Sequence, residues 1–148
     1  MPLDFTETLQ TWRHHLHANP ELSRRESATA AYICAELTKL GVQYEAGIGG
    51  HGVVATISRA PSNRSVGLRA DMDALPILET TNLPYASKNS GVMHACGHDG
   101  HTASLLGAAK LLQEDANWSG IIQFVFQPAE EGFGRCFDPG NQPPCDDA

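Results

Sequence analysis

Residues 121–126 read Ile-Ile-Gln-Phe-Val-Phe, an apolar run broken once, at Gln123, and ended by Gln127-Pro128. A run of this kind predicts a strand buried on both faces of a sheet. The Ala- and Leu-rich stretch His101–Gln113 before it predicts a helix, and Val66–Ala70 before that predicts another strand. Strand, helix, strand is the signature of an α/β fold. Two further helices are expected upstream. Phe5, Leu9, Trp12 and Leu16 recur at spacings of three and four over Leu3–Ala18, and Asn19-Pro20 stops that helix. Ala30, Ile33, Leu37 and Leu40 line one face of Ser27–Leu40, and Gly41 closes it. Between these halves, Val42–Glu45 and Val53–Ser58 read as a hairpin-like strand pair. Asp71–Pro76 leaves its strand as a loop, and a polar segment follows to Val92.

The turn joining the strand pair carries Gly47-x-Gly49-x-x-Gly52, the spacing of dinucleotide-binding loops. Those loops open a helix whose N-terminus holds the pyrophosphate. Here the β-branched run Val53–Ser58 follows instead, so the glycines are read as a turn between strands.

With 148 residues, 41% of them apolar, the chain suits one ordinary domain able to bury a core. The net charge of −7 and the lack of any Lys/Arg block argue against nucleic acid and anionic membrane as partners. No apolar stretch is long enough to span a bilayer, and Met1–Asn19 does not read as a secretory signal, so a cytoplasmic location is expected. Cys34, Cys96, Cys136 and Cys145 show no Cys-x-x-Cys and no framework spacing, which predicts free thiols, with any special one catalytic or metal-bound.

Three stretches concentrate ligand-type side chains. Residues 93–102 read Met-His-Ala-Cys-Gly-His-Asp-Gly-His-Thr. Cys96 and His98, two apart on an extended loop, would face the same side and suit Zn, Mn, Fe or Co, with Asp99 and His101 placed to orient them. Taken alone, the stretch equally fits a buried cysteine beside surface histidines. Gln127-Pro-Ala-Glu-Glu-Gly132 ends the buried strand with two carboxylates, where open α/β sheets place their sites. One glutamate can bind metal while the other serves as general base toward water; an isolated Glu-Glu is otherwise a solvated turn. Leu68-Arg-Ala-Asp-Met-Asp-Ala-Leu-Pro76 places Asp71 and Asp73 after a strand, equally readable as an acidic strand exit. Together the three favour a metal-activated water attacking a carbonyl. No His-Glu-x-x-His, Gly-x-Ser-x-Gly or P-loop is present.

These motifs, in this order, resemble the metallo-aminoacylase/carboxypeptidase family, in the amidohydrolase branch that contains hippurate hydrolase, N-acyl-amino-acid amidohydrolases and auxin-conjugate hydrolases. His14-His-Leu-His-Ala-Asn-Pro-Glu-Leu22 resembles that branch too, and the similarity runs from about Trp12 to Gly134. The resemblance implies Cys96, His98 and Glu131 as metal ligands and Glu130 as general base. It implies two divalent ions, Mn or Zn, and cleavage of the amide of a small N-acyl amino acid. In the wider family the first position of the Asp71-x-Asp73 motif is a metal-binding His, and the resemblance assigns no role to Asp71, Asp73 or His101. The fold it implies is an incomplete N-terminal part of a zinc-peptidase-like catalytic domain, with a mixed sheet and flanking helices.

Residues 1–134 are expected to form that partial domain. Residues 135–148 hold two cysteines and three prolines with no apolar periodicity, and are expected to be an aberrant, disordered tail left by a frameshift or premature stop. All seven histidines lie at or before His101. An inactive fragment with weak metal binding is therefore the second expectation beside the amidohydrolase. A homodimer is expected only of an intact protein, and an unpaired sheet edge is expected here.

Overall fold

The computed structural model describes residues 3–132. Its elements are α1 (Leu3–Ala18), α2 (Ser27–Lys39), β1 (Gln43–Ile48), β2 (Gly52–Arg59), β3 (Ser65–Asp71), α3 (His98–Glu114) and β4 (Gly120–Gln127). The four strands form one mixed sheet in the order β1-β2-β4-β3. β1 pairs with β2, and β2 with β4, antiparallel; β3 and β4 run parallel, joined through α3. The mixed α/β architecture expected from the sequence is present. The glycine turn is also where it was expected, with Gly47, Gly49 and Gly50 at positive φ and β2 beginning at Gly52.

Burial alternates along the central strands β2 and β4 because the helices cover one face. Val53, Ala55 and Ile57 of β2, and Phe124 and Phe126 of β4, join Ile33 and Leu37 of α2, Leu105, Leu106 and Ala109 of α3, and Trp12 and Leu16 of α1 in one core. Leu9 of α1 packs against Gly107 of α3, where an added Cβ would lie 2.5 Å from its Cδ2. β4 is not buried on both faces as its composition suggested. Ile121 is 42% exposed and Gln123 is exposed, since α2 and α3 pack on the opposite side. β1 and β3 are the edge strands among the described residues, and Val66 on β3 is 55% exposed.

Polar contacts set the loops. The Glu21 carboxylate accepts the Thr29 and Ala28 amides at 2.7 and 3.2 Å, satisfying free N–H groups at the start of α2. Glu26, fully buried, accepts the amide of Ala129 at 2.8 Å and so ties the α2 entry to the turn after β4. Gly120 opens β4 at φ +115°, where a Cβ would lie 2.5 Å from the Arg64 carbonyl oxygen. Gly120→Ala is expected to lower stability by roughly 1–3 kcal/mol, read from urea unfolding; an unchanged midpoint would refute this.

Candidate metal centre

Because β3 and β4 are parallel neighbours, their carboxyl ends leave the sheet side by side, with Asp71 opposite Gln127. The Met72 amide donates to the Gln127 carbonyl at 3.1 Å and holds the two exits together. After β4 the chain turns at Ala129 (φ 56°), delivering Glu130 and Glu131. The third contribution comes from α3, which begins at His98, three residues earlier than the periodicity suggested. His98 is thus a helical residue rather than part of an extended loop, and Gly97 at φ +99° makes the turn into the helix. Thr102 Oγ1 donates to the Asp71 carbonyl at 2.9 Å, pinning the first turn of α3 to the end of β3.

His98 is the centre of this convergence. Its Nδ1 lies 2.9 Å from the Asp73 carbonyl oxygen and 3.3 Å from Asp73 Oδ1. Both are acceptors, so Nδ1 carries the proton and Nε2 presents a lone pair. That Nε2 faces Asp71 Oδ1 at 3.6 Å, Glu130 Oε2 at 3.9 Å and Glu131 Oε1 at 3.9 Å. Asp73 is itself held by Ser23 Oγ at 2.6 Å and by the Glu131 amide at 2.9 Å. One buried carboxylate therefore orients the imidazole and the Glu131 backbone at once.

The expected ligands come together. Ligand atoms of Cys96, His98 and Glu131 lie within 4.8 Å of one another, as do those of Asp71, His98 and His101. Glu130, the expected base, has a 41% exposed side chain beside them. A lone imidazole nitrogen, a thiol and carboxylates at this spacing fit a divalent cation. Asp71 is buried, which tends to raise its pKa, but the hydrogen bond from His101 (2.7 Å) and the neighbouring imidazoles win and hold it below the usual carboxylate range. Desolvation, the hydrogen bond to Glu131 and the charges of Glu131, Asp71 and Glu130 push the Cys96 thiol up. A cation among these groups reverses that balance.

Asp99 is not among the groups that orient the candidate ligands. Its Oδ2 meets His17 Nδ1 at 2.7 Å and Arg13 Nε at 3.2 Å, while His17 Nε2 meets Glu79 Oε1 at 3.2 Å. This buried network bolts α1 and the loop around residue 79 onto the start of α3. Sequence reading missed Ser23 and His17 because their partners lie 50 and 82 residues away.

The profile of peptidase family M20/M25/M40 matches residues 67–143, just over half of the chain. The chain belongs to this family. Hippurate hydrolase of Campylobacter jejuni is 50% identical over 132 residues, covering 89% of this chain and 34% of that protein. N-acetyl-L-cysteine deacetylase of Bacillus subtilis is 52% identical over 120 residues, covering 80% of this chain and 29% of that protein. A crystal structure of a dinuclear metal-binding peptidase of the M20 family from Bacillus subtilis superposes with a TM-score of 0.85 at 44% identity, over 88% of this chain and 37% of that one. This chain thus spans about a third of the length of the relatives it matches. The M20/M25/M40 match starts in β3 and runs past the boundary expected at residue 134; the tail assigned to residues 135–148 lies outside the described residues. No helix among the described residues is long and apolar enough to cross a membrane.

Beside this candidate centre sits His94, 5% exposed with neither ring nitrogen paired. Burial pushes its pKa down to about 4, with the Asp99 charge acting against that shift. A histidine depressed in the folded state favours unfolding once the unfolded chain protonates. Stability is therefore expected to be full above pH 6.5 and to fall as pH drops toward 4, by at most about 3 kcal/mol. His94→Gln should flatten that slope in unfolding curves recorded across this window; an unchanged slope would refute the assignment.

Proposed function

We propose that this chain carries the metal-binding half-site of a hydrolase that cleaves the amide of small N-acyl amino acids. The observation that carries the reading is the His98 imidazole, with Nδ1 held by Asp73 and Nε2 aimed at three carboxylates. Cys96, His98 and Glu131 would hold the ion, Mn or Zn, and Asp73 would keep His98 in its ligating tautomer. When bound, divalent ions of this kind acidify a water and polarise a carbonyl. Glu130, adjacent to Glu131 and open to solvent, takes the proton of the attacking water and returns it to the leaving amine. Two relatives, a hippurate hydrolase and an N-acetyl-L-cysteine deacetylase, are named for N-acyl amino acids, which supports this substrate class.

A second reading is that this stretch alone binds a metal weakly and does not turn over. It is favoured by one observation: both three-residue ligand sets among the described residues use His98, so they do not make two complete sites. Hydrolysis of N-benzoylglycine by the chain, with added Mn or Zn, separates the two readings. Turnover that requires the metal supports the hydrolase, and none above background supports the second reading.

A further inference from the structure

We propose that Glu26 is a positioning residue for the Glu130–Glu131 pair: it pre-forms the turn at Ala129 in the metal-free chain and so sets where both carboxylates stand. The proposal rests on the roles given to those two residues above. Glu26 occupies the N-cap of α2, where a side-chain oxygen usually accepts an amide of its own helix. It makes no such bond. Glu21 accepts the Ala28 and Thr29 amides instead, and the Thr29 hydroxyl at 2.8 Å. The Glu26 carboxylate turns inward, where Oε1 takes the amide of Ala129, 103 positions along the chain.

That placement is costly. Glu26 is fully buried, and its Oε2 has no hydrogen-bond partner among the described residues. A buried carboxylate left partly unsatisfied does not by itself stabilise a fold. The turn it holds is strained as well. Ala129, also buried, has φ 56°, a region that a residue with a Cβ enters at a cost. Pro128 offers no N–H, so the turn is anchored by later amides: Ala129 on Glu26 at 2.8 Å and Glu131 on Asp73 at 2.9 Å. Two buried carboxylates from separate segments grip alternate amides, with Glu130 between them. Without Glu26 the Ala129 amide would be orphaned and its φ would relax to negative values. Glu130 and Glu131 would then leave their places 3.9 Å from His98 Nε2. Strain and burial spent on the turn that carries these two side chains point to a role in the site.

The test uses the full chain, first metal-free and then with Mn²⁺ or Cd²⁺. Residue-resolved hydrogen exchange reads the Ala129 amide, calorimetry reads Mn²⁺ affinity, and ultraviolet thiolate absorption with Cd²⁺ reads Cys96. In the metal-free unmodified chain the Ala129 amide is expected to exchange slowly. Glu26→Met fills similar space without an acceptor. It should speed that exchange by at least about tenfold and weaken Mn²⁺ by about 10- to 100-fold, while the Cd²⁺ band persists. Glu26→Gln keeps a carbonyl acceptor and should hold both readings within about threefold of the parent, a rescue that a space-filling role does not predict. Equal behaviour of the Met and Gln variants would overturn the proposal. So would an Ala129 amide that exchanges fast in the metal-free unmodified chain and slows only with metal, a result that needs no variant to fold. Failure of the unmodified chain to bind either ion would instead sink the ligand set under the proposed function, and Ala129 exchange would still decide whether Glu26 forms the turn.

Discussion

Asp73→Ala is expected to destabilise the protein by about 3–5 kcal/mol and to weaken metal binding by about 10- to 100-fold. The Asp73 side chain is fully buried and accepts from Ser23 Oγ, the Glu131 amide and His98 Nδ1. Alanine leaves the first two donors, both part-buried, without their acceptor, and the penalty for such orphans exceeds the value of the bonds themselves. His98 keeps the Asp73 carbonyl at 2.9 Å, so its ring does not turn freely and some metal affinity survives. Urea unfolding and metal titration on the same variant check both parts. A variant as stable as the parent, binding metal equally well, would show that Asp73 orients nothing.

Glu130→Gln is expected to leave metal affinity within about twofold and, wherever the chain hydrolyses N-benzoylglycine, to lower kcat by about 10²- to 10⁴-fold, the usual range for removing a general base. Glutamine keeps the size of the side chain but cannot take a proton. Glu130 makes no contact that holds Glu131 in place; the Glu131 amide is fixed by Asp73 and the turn by the Ala129 amide on Glu26. Loss of turnover together with loss of metal would make Glu130 a ligand instead of a base. Full turnover would remove it from the reaction.

The chemistry-bearing residues were legible because each signal is local. Ligand-type side chains follow strand exits at Asp71 and Glu130, and a crowded Cys-x-His stands at the head of a helix; composition and spacing carry that information. The helices and strands were legible for the same reason, since Leu3–Ala18 repeats every three or four residues and the strand runs are bounded by Gly and Pro. Errors arose where a local signal met tertiary packing. The apolar run at residues 121–126 implied two covered faces, but the described helices pack on one. The helix at His101 was extended back to His98 because Gly97 adopts a positive φ and Thr102 bonds to the β3 exit.

What the sequence determined by itself is an α/β chain with three ligand-bearing stretches in a fixed order. Only the tertiary structure decided how they meet. β4 inserts between β2 and β3, which brings residues 71 and 127 into register and sets Asp73 against His98, 25 positions along the chain. Which nitrogen of His98 is free, which carboxylates it faces and why Asp99 turns to His17 are consequences of that long-range pairing. Periodicity reports the face a residue occupies; it holds no information about the partner that folding brings opposite.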